Sequence, residues 1–260
     1  MRVALVTGAA RGIGAATVRA LAGQGYGVVA FDSCAGFDEE VGYALASREE
    51  LETLGTAYPE QVITVVGDVR SRDSLAGAAD LAMERFGRLD VAVASAAVIA
   101  GGAPLWSTPE PQLRRLLEVD LVGVWHTAAV AVPYMLAGPE PAGCRFVAIA
   151  SAAGERGLYG LTAYSAAKHA VVGLVRGLAE DLVGTGVTAV AVAPGSTRTD
   201  MLSATAALYR LSDVDEFAGS ALIRRLLEPE EVAATVAFCC SVEAASLNGS
   251  VVRADGGFRS

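Results

Sequence analysis

Short apolar runs alternate along this chain with longer stretches in which apolar residues recur every three or four positions. The short runs are "RVALVTG" (2–8), "YGVVAFD" (26–32), "QVITVVGD" (61–68), "LDVAVAS" (89–95), "RFVAIAS" (145–151), "GVTAVAVAP" (186–194) and "SVVRADG" (250–256). They are rich in valine and isoleucine and almost unbroken in apolar character. Strands of that kind belong to a sheet covered on both faces. Helical periodicity occupies about 13–24, 73–86, 110–136, 163–183 and 229–240. Strand and helix in alternation predict parallel β-α-β units and a doubly wound α/β fold with a seven-stranded sheet flanked by helices. No low-complexity linker divides the chain, so residues 1–260 are expected to form a single domain.

In such sheets ligands bind beyond the carboxyl ends of the strands. Those ends carry Gly8, Asp32, Asp68, Ser95, Ser151 and the pair Pro194-Gly195. Six strands are therefore expected to line one crevice.

Composition narrows the class. Hydrophobic residues make up 53% of 260, enough for a large core, and the formal net charge is −9. The acids are dispersed, and no basic patch suggests a nucleic-acid partner. The apolar run at the N-terminus is too short for a leader, and no apolar run reaches membrane-spanning length. A soluble, cytoplasmic protein is expected. The cysteines, Cys34, Cys144, Cys239 and Cys240, have neither metal-ligand nor disulfide-framework spacing and read as reduced core residues. No metal site is expected. His126 and His169 lack ligand-spaced partners, and Trp106 and Trp125 read as packing residues.

The first strand runs into "TGAARGIG". Gly8, Gly12 and Gly14, with Arg11 and Ile13 between them, form T-G-x-x-x-G-x-G at the start of a helix. Glycines allow a sharp turn and close backbone approach to a pyrophosphate, and the helix N-terminus adds free amides. Asp32 ends the second strand, where a carboxylate binds the adenosine ribose hydroxyls and repels a 2′-phosphate, which favours NAD. Arg11 pulls the other way, since a cation in the loop suits a phosphate. In "GDV" (67–69), Asp68 suits the adenine amino group and Val69 the ring face.

Ser151, Tyr164 and Lys168 form S-x12-Y-x3-K. Taken with "TGAARGIG", "GDV", "PGSTRT" (194–199) and "ADGG" (254–257), this resembles the short-chain dehydrogenase/reductase family over nearly the whole chain. The resemblance implies a Rossmann-type fold and interconversion of a secondary alcohol and a ketone. Tyr164 would be the acid/base and Ser151 would hydrogen-bond the substrate oxygen. Lys168 would hold the nicotinamide ribose and favour the phenolate. A phenol ionises near pH 10, and a cation about 4 Å away favours the phenolate by about 4 kcal/mol at an effective dielectric near 20. Pro194 and Gly195 open the loop that would fix the nicotinamide carboxamide, through the Thr197 backbone and the Thr199 hydroxyl.

Two positions depart from the family pattern. Asp120, in "LEVDLVGVW", stands where the family has a catalytic asparagine, and an ionised carboxylate only accepts hydrogen bonds. Ser95-Ala96-Ala97 stands where the family has Asn-Ala-Gly. Between Asp32 and Asp68 the chain is also longer than the family pattern. The extra segment, 33–55, resembles the insertion of the mycofactocin-associated branch, which implies a non-exchangeable NAD and an external redox acceptor such as mycofactocin. A plain surface helix is the alternative. Residues 200–228 read as a substrate lid, and their aliphatic character favours a hydrophobic alcohol, terpenoid or alicyclic. The family also implies a homotetramer built on the helices at 110–136 and 163–183. Two other readings stay open: an NADP-linked reductase of acyl-carrier substrates and a non-catalytic nucleotide-binding scaffold.

Overall fold

The computed structural model describes residues 1–39 and 42–259. Glu40 and Val41 of the expected insertion, and Ser260 of the expected domain, lie outside the described residues. The seven apolar runs form seven strands: β1 (Val3–Thr7), β2 (Gly27–Asp32), β3 (Val62–Val66), β4 (Val91–Ala94), β5 (Arg145–Ile149), β6 (Thr188–Pro194) and β7 (Val251–Ala254). They pair in parallel in the order β3-β2-β1-β4-β5-β6-β7. The order reverses between β1 and β4. Chain segments leaving those two strands diverge to opposite sides, and the crevice between them is the ligand position of doubly wound sheets.

The helices are α1 (Gly12–Gly23), α2 (Arg48–Ala57), α3 (Arg72–Phe86), α4 (Glu110–Ala137), α5 (Thr162–Asp181), α6 (Asp200–Tyr209) and α7 (Pro229–Cys240). Alternate residues of β1 serve opposite layers: Val3 and Leu5 pack in the core under α3, α4 and α5, while Ala4 and Val6 pack in the core under α1, α2 and α7. That division explains the unbroken apolar runs. Buried Asp90, just before β4, accepts the Val3 amide at 2.8 Å and pairs with Arg88, which holds β4 in register with β1 so that Thr7 and Ala94 end level.

Helix α4 is long and apolar enough to span a bilayer, but half of that apolar stretch is buried, and the helix packs on α3 and β4 as a core helix. It is not uniformly α-helical. Leu117–Val122 winds as a π-helix, with Asp120 inside the wide turn. The segment expected as an insertion resolves into a small hairpin, Phe37–Asp38 paired with Tyr43–Ala44, followed by α2. Ser47 and Glu50 cap α2 reciprocally. The lid segment contains α6 and a 3-10 stretch, Val214–Ser220. Trp106 and Trp125, expected as packing residues, are 85% and 62% exposed on the single chain. Trp106 lies in a short 3-10 turn before α4 and Trp125 on the outer face of α4.

Glycine is required at two points of the β1–α1 turn. Gly8 adopts φ +64°, and a Cβ there would meet the Ala96 backbone at 2.6 Å. At Gly14 a Cβ would collide with the Gly8 carbonyl. We expect Gly14→Ala to force the turn open and to cost about 1–3 kcal/mol, the usual penalty for overpacking against backbone. A lowered denaturation midpoint with an unchanged slope is the measurement that checks it.

Candidate active site

A cavity of about 530 Å³ opens at the carboxyl edge of the sheet. Every strand end singled out in the sequence contributes to its lining. One end is formed by the glycine loop, Asp32, Asp68 and Val69, the other by Ser151, Tyr164, Lys168 and the lid.

The first end fits a dinucleotide. Gly12 has φ +56°, no side chain caps the first turn of α1, and no acid sits in it. The N-terminal amides of α1 are thus available to an anion. Asp32 is buried at the end of β2. It accepts from the Ala10 amide at 3.0 Å and the Cys34 amide at 3.0 Å, so its carboxylate is fixed and each oxygen keeps a lone pair. Arg11 turns away from that position. Its guanidinium donates to the Ala44 carbonyl at 2.7 Å and to Asp200 at 3.0 Å. Asp68 is held by Arg70 at 2.6 Å. Burial raises its pKa, but the Arg70 hydrogen bonds outweigh burial and leave it below the usual carboxylate range. Val69 is buried and presses on Gly123 of α4. The Ser95 and Ala96 amides both donate to the Thr7 hydroxyl, at 3.1 and 3.3 Å, which fixes the loop after β4.

In the loop after β6, Gly195 lies where a Cβ would meet the Asp255 carbonyl at 2.6 Å. Thr197 is buried and donates to the Gly195 carbonyl. The Thr199 hydroxyl caps α6 by accepting from the Leu202 amide at 3.2 Å, and it donates to the Thr197 carbonyl. The sequence reading gave that hydroxyl to the nicotinamide carboxamide. Here it first serves the helix.

The second end is the reacting group. Ser151 follows β5, and its Oγ accepts from the Ala153 amide at 3.1 Å, which leaves its proton to donate outward. Tyr164 and Lys168 lie one turn apart on α5, with Lys168 Nζ 5.7 Å from the centre of the Tyr164 ring. Lys168 does not point at the phenol oxygen alone. Nζ donates to the Ile149 carbonyl at 3.1 Å and stands 3.5 Å from Asp120 Oδ2. Both side chains are sealed, with Lys168 at 1% and Asp120 at 0% exposure. Asp120 Oδ1 accepts from the Val98 amide at 2.9 Å, while Oδ2 has no hydrogen-bond partner.

These contacts correct the expected electrostatics. Lys168 was expected to depress the Tyr164 pKa. Instead the phenol is pushed above its ordinary value, first by burial and then by the Asp120 charge, with the Ser151 hydroxyl opposing in part. Lys168 is occupied by Asp120. Burial in turn pushes the Asp120 carboxyl up to about 6 against the opposing pull of Lys168 and the Val98 amide.

Sequence reasoning missed Tyr43 and Thr7. Tyr43, in the hairpin after β2, accepts from the Ile99 amide at 3.2 Å and lines the cavity. Its signal was only an aromatic within a polar insertion. Together with Arg11 it ties the hairpin across the crevice to the loop after β4 and to α6.

The comparisons agree with this geometry. The family profile described as enoyl-(acyl carrier protein) reductase matches residues 8–259. The cis-4-hydroxycyclohexanecarboxylate dehydrogenase of Sinomonas cyclohexanicum is 37% identical over 257 residues, 99% of this chain and 96% of that one. The (-)-trans-carveol dehydrogenase of Rhodococcus erythropolis is 34% identical over 98% of this chain and 96% of its own length. A crystal structure of carveol dehydrogenase from Mycobacterium avium in complex with NAD superposes with a TM-score of 0.92 at 28% identity, covering 98% of this chain and 96% of that one. With the Ser151, Tyr164 and Lys168 cluster at the carboxyl edge of a seven-stranded parallel sheet, the chain belongs to the short-chain dehydrogenase/reductase family.

Proposed function

We propose that this chain is an NAD-dependent oxidoreductase that interconverts a secondary alcohol and a ketone on a hydrophobic, alicyclic small molecule, with Tyr164 as the acid/base. The observation that carries the reading is one cavity with a dinucleotide cradle at one end and Ser151, Tyr164 and Lys168 at the other. Gly8, Arg11, Gly12, Ile13 and Gly14 would hold the pyrophosphate through the α1 amides, and Asp32 the adenosine ribose. Asp68 and Val69 would receive the adenine, Ser95 and Ala96 the middle of the cofactor, and Pro194, Gly195, Thr197 and Thr199 the carboxamide. The fixed carboxylate of Asp32 favours NAD over NADP. Arg11 is engaged with Ala44 and Asp200 rather than turned to a 2′-phosphate, which argues against the acyl-carrier reductase reading. An intact Ser-Tyr-Lys set argues against a non-catalytic scaffold.

NAD held in this cradle would supply the hydride acceptor for the carbinol carbon. The hydroxyl proton of the alcohol goes to the Tyr164 phenolate, and the product is the ketone. Ser151 donates to the substrate oxygen as charge gathers on it. Lys168 holds the ribose and, through Asp120, sets the charge around the phenol. Leu158, Leu161, Met201, Leu202 and Phe217 give the substrate end apolar walls. The names of the relatives point to ring alcohols, and these walls suit such substrates.

The finer reading is the mycofactocin-associated branch, with a retained NAD and an external acceptor. It is supported by the hairpin, which Arg11 and Tyr43 fasten over the crevice. A homotetramer on α4 and α5 is supported by exposed Val122 and Trp125 on α4.

Tyr164→Phe should keep the packing and nucleotide binding but lower turnover by about 10² to 10⁴, the usual weight of a general acid/base. Steady-state rates within twofold of wild type would remove Tyr164 from the mechanism. Asp120→Asn takes away a negative charge that holds the phenol proton. The rise of alcohol oxidation with pH should therefore move to lower pH, and a pH–rate profile displaced upward or unmoved would contradict an ionised Asp120. Protein purified without added nucleotide and dialysed should release NAD on denaturation, and turnover should need an artificial acceptor. Nucleotide-free protein that works readily with added NAD would leave the dehydrogenase and remove the retained-cofactor branch.

A further inference from the structure

The buried charges at the reacting end are Lys168 and Asp120, 3.5 Å apart and shut off from solvent. Together they sum to zero. With asparagine in place of Asp120, the same site would hold one uncompensated positive charge. The nicotinamide ring is positive when oxidised and neutral when reduced. A net positive site penalises the oxidised ring, whereas a neutral site does not. We propose that Asp120 is a positioning charge that biases the nucleotide site toward the oxidised nicotinamide over the reduced one, by cancelling Lys168. The inference rests on the NAD reading above and adds to it a preference between the two redox states.

The geometry makes the cancellation local. Asp120 reaches Lys168 because the π-helical turn of α4 carries it inward, and the Val98 amide holds its other oxygen at 2.9 Å. Four arginines also line the cavity. Arg11 pairs with Asp200 and Arg70 with Asp68, the charge of Arg115 also bears on Asp68, and Arg259 belongs to the C-terminal segment, where its amide donates to the Ser220 carbonyl. Charges in a water-free site are screened little, so removal of one is felt at its neighbours. At an effective dielectric of about 20, a unit charge acting within such a site changes a binding ratio on the order of tenfold or more.

Protonation of Asp120 should have the same consequence as its replacement. The carboxyl titrates near pH 6, so it is charged at pH 8 and neutral at pH 5. The groups around it are Lys168 and Tyr164 from α5, the Tyr43 phenol from the hairpin and the Val98 amide. The histidines of the two helices are bonded elsewhere. His126 of α4 contacts the Val69 carbonyl and His169 of α5 the Ser165 carbonyl.

The experiment measures NADH binding by fluorescence and its displacement by oxidised NAD, at pH 8 and pH 5, on wild type and Asp120→Asn. Where exchange is slow, release rates of the two forms from loaded protein replace the constants. The expected result is a preference for oxidised NAD in wild type that is roughly tenfold stronger at pH 8 than at pH 5. Asp120→Asn should resemble wild type at pH 5 and should not change with pH. An equal ratio in wild type and variant at pH 8, or a pH dependence that survives the substitution, overturns the proposal. Should the variant not fold, a wild-type ratio that does not change with pH overturns it. Binding of neither nucleotide overturns the NAD reading and this inference with it.

Discussion

Two opposite charges sealed under the sheet edge organise the reacting end. An isolated ion in a protein interior costs several kcal/mol, and a partner offsets that only with good geometry and further hydrogen bonds. Lys168 and Asp120 meet both conditions only in part. The separation is 3.5 Å, Lys168 donates to the Ile149 carbonyl, the Val98 amide donates to Asp120 Oδ1, and Asp120 Oδ2 is left without a hydrogen bond. The pair joins the end of β5, the loop after β4, α4 and α5. Movement of any one of these would leave a bare charge in a dry place, so the pair makes the four segments interdependent.

That interdependence has a chemical consequence. A lysine alone would ease ionisation of the neighbouring phenol. A lysine already neutralised cannot, and burial first, then the carboxylate beside it, raises the phenol instead. The site is therefore set for a proton-bearing Tyr164 until another positive charge enters. On the proposed function an oxidised nicotinamide would supply one, and acid/base readiness and cofactor redox state would then be coupled through the same few charges.

The layers of this fold are legible in the sequence for a clear reason. The inner strands are buried on both faces, so "VALVT" and "GVVAFD" carry no alternation to misread, and the turn residues that follow them are the ligand-facing ones. Tyr164 and Lys168 sit one turn apart on α5, Ser151 follows β5 and the glycine loop follows β1, and the parallel order of the sheet brings these strand ends into one crevice. What the sequence could not convey depends on contacts between distant segments. The direction of Arg11 is set by Ala44 and Asp200, the position of Tyr43 by Ile99, and the rise of the Tyr164 pKa by its own burial first and then by the Asp120 charge. The π-helical turn is likewise invisible in a pattern of apolar spacing, because one widened turn shifts the phase by less than a side chain.

The two ends of the cavity are fastened by different kinds of contact, and the difference bears on how the cofactor would come and go. At the reacting end the pair is dry and costly to disturb. At the mouth the fastening is polar and partly wet: in the Arg11–Asp200 bridge the aspartate side chain is 63% exposed. Exposed ion pairs contribute only about 0–1 kcal/mol each, so no one contact holds the hairpin down. Its hold is the sum of the Arg11 bonds to Ala44 and Asp200, the Tyr43–Ile99 hydrogen bond and the apolar surface of Tyr43 and Leu45 packed on the core. Arg11 belongs to the glycine loop and Asp200 to the first turn of α6. One guanidinium therefore joins three segments of the cavity mouth, the glycine loop, the hairpin and α6, although the hairpin and α6 are linked only through it in this set of bonds.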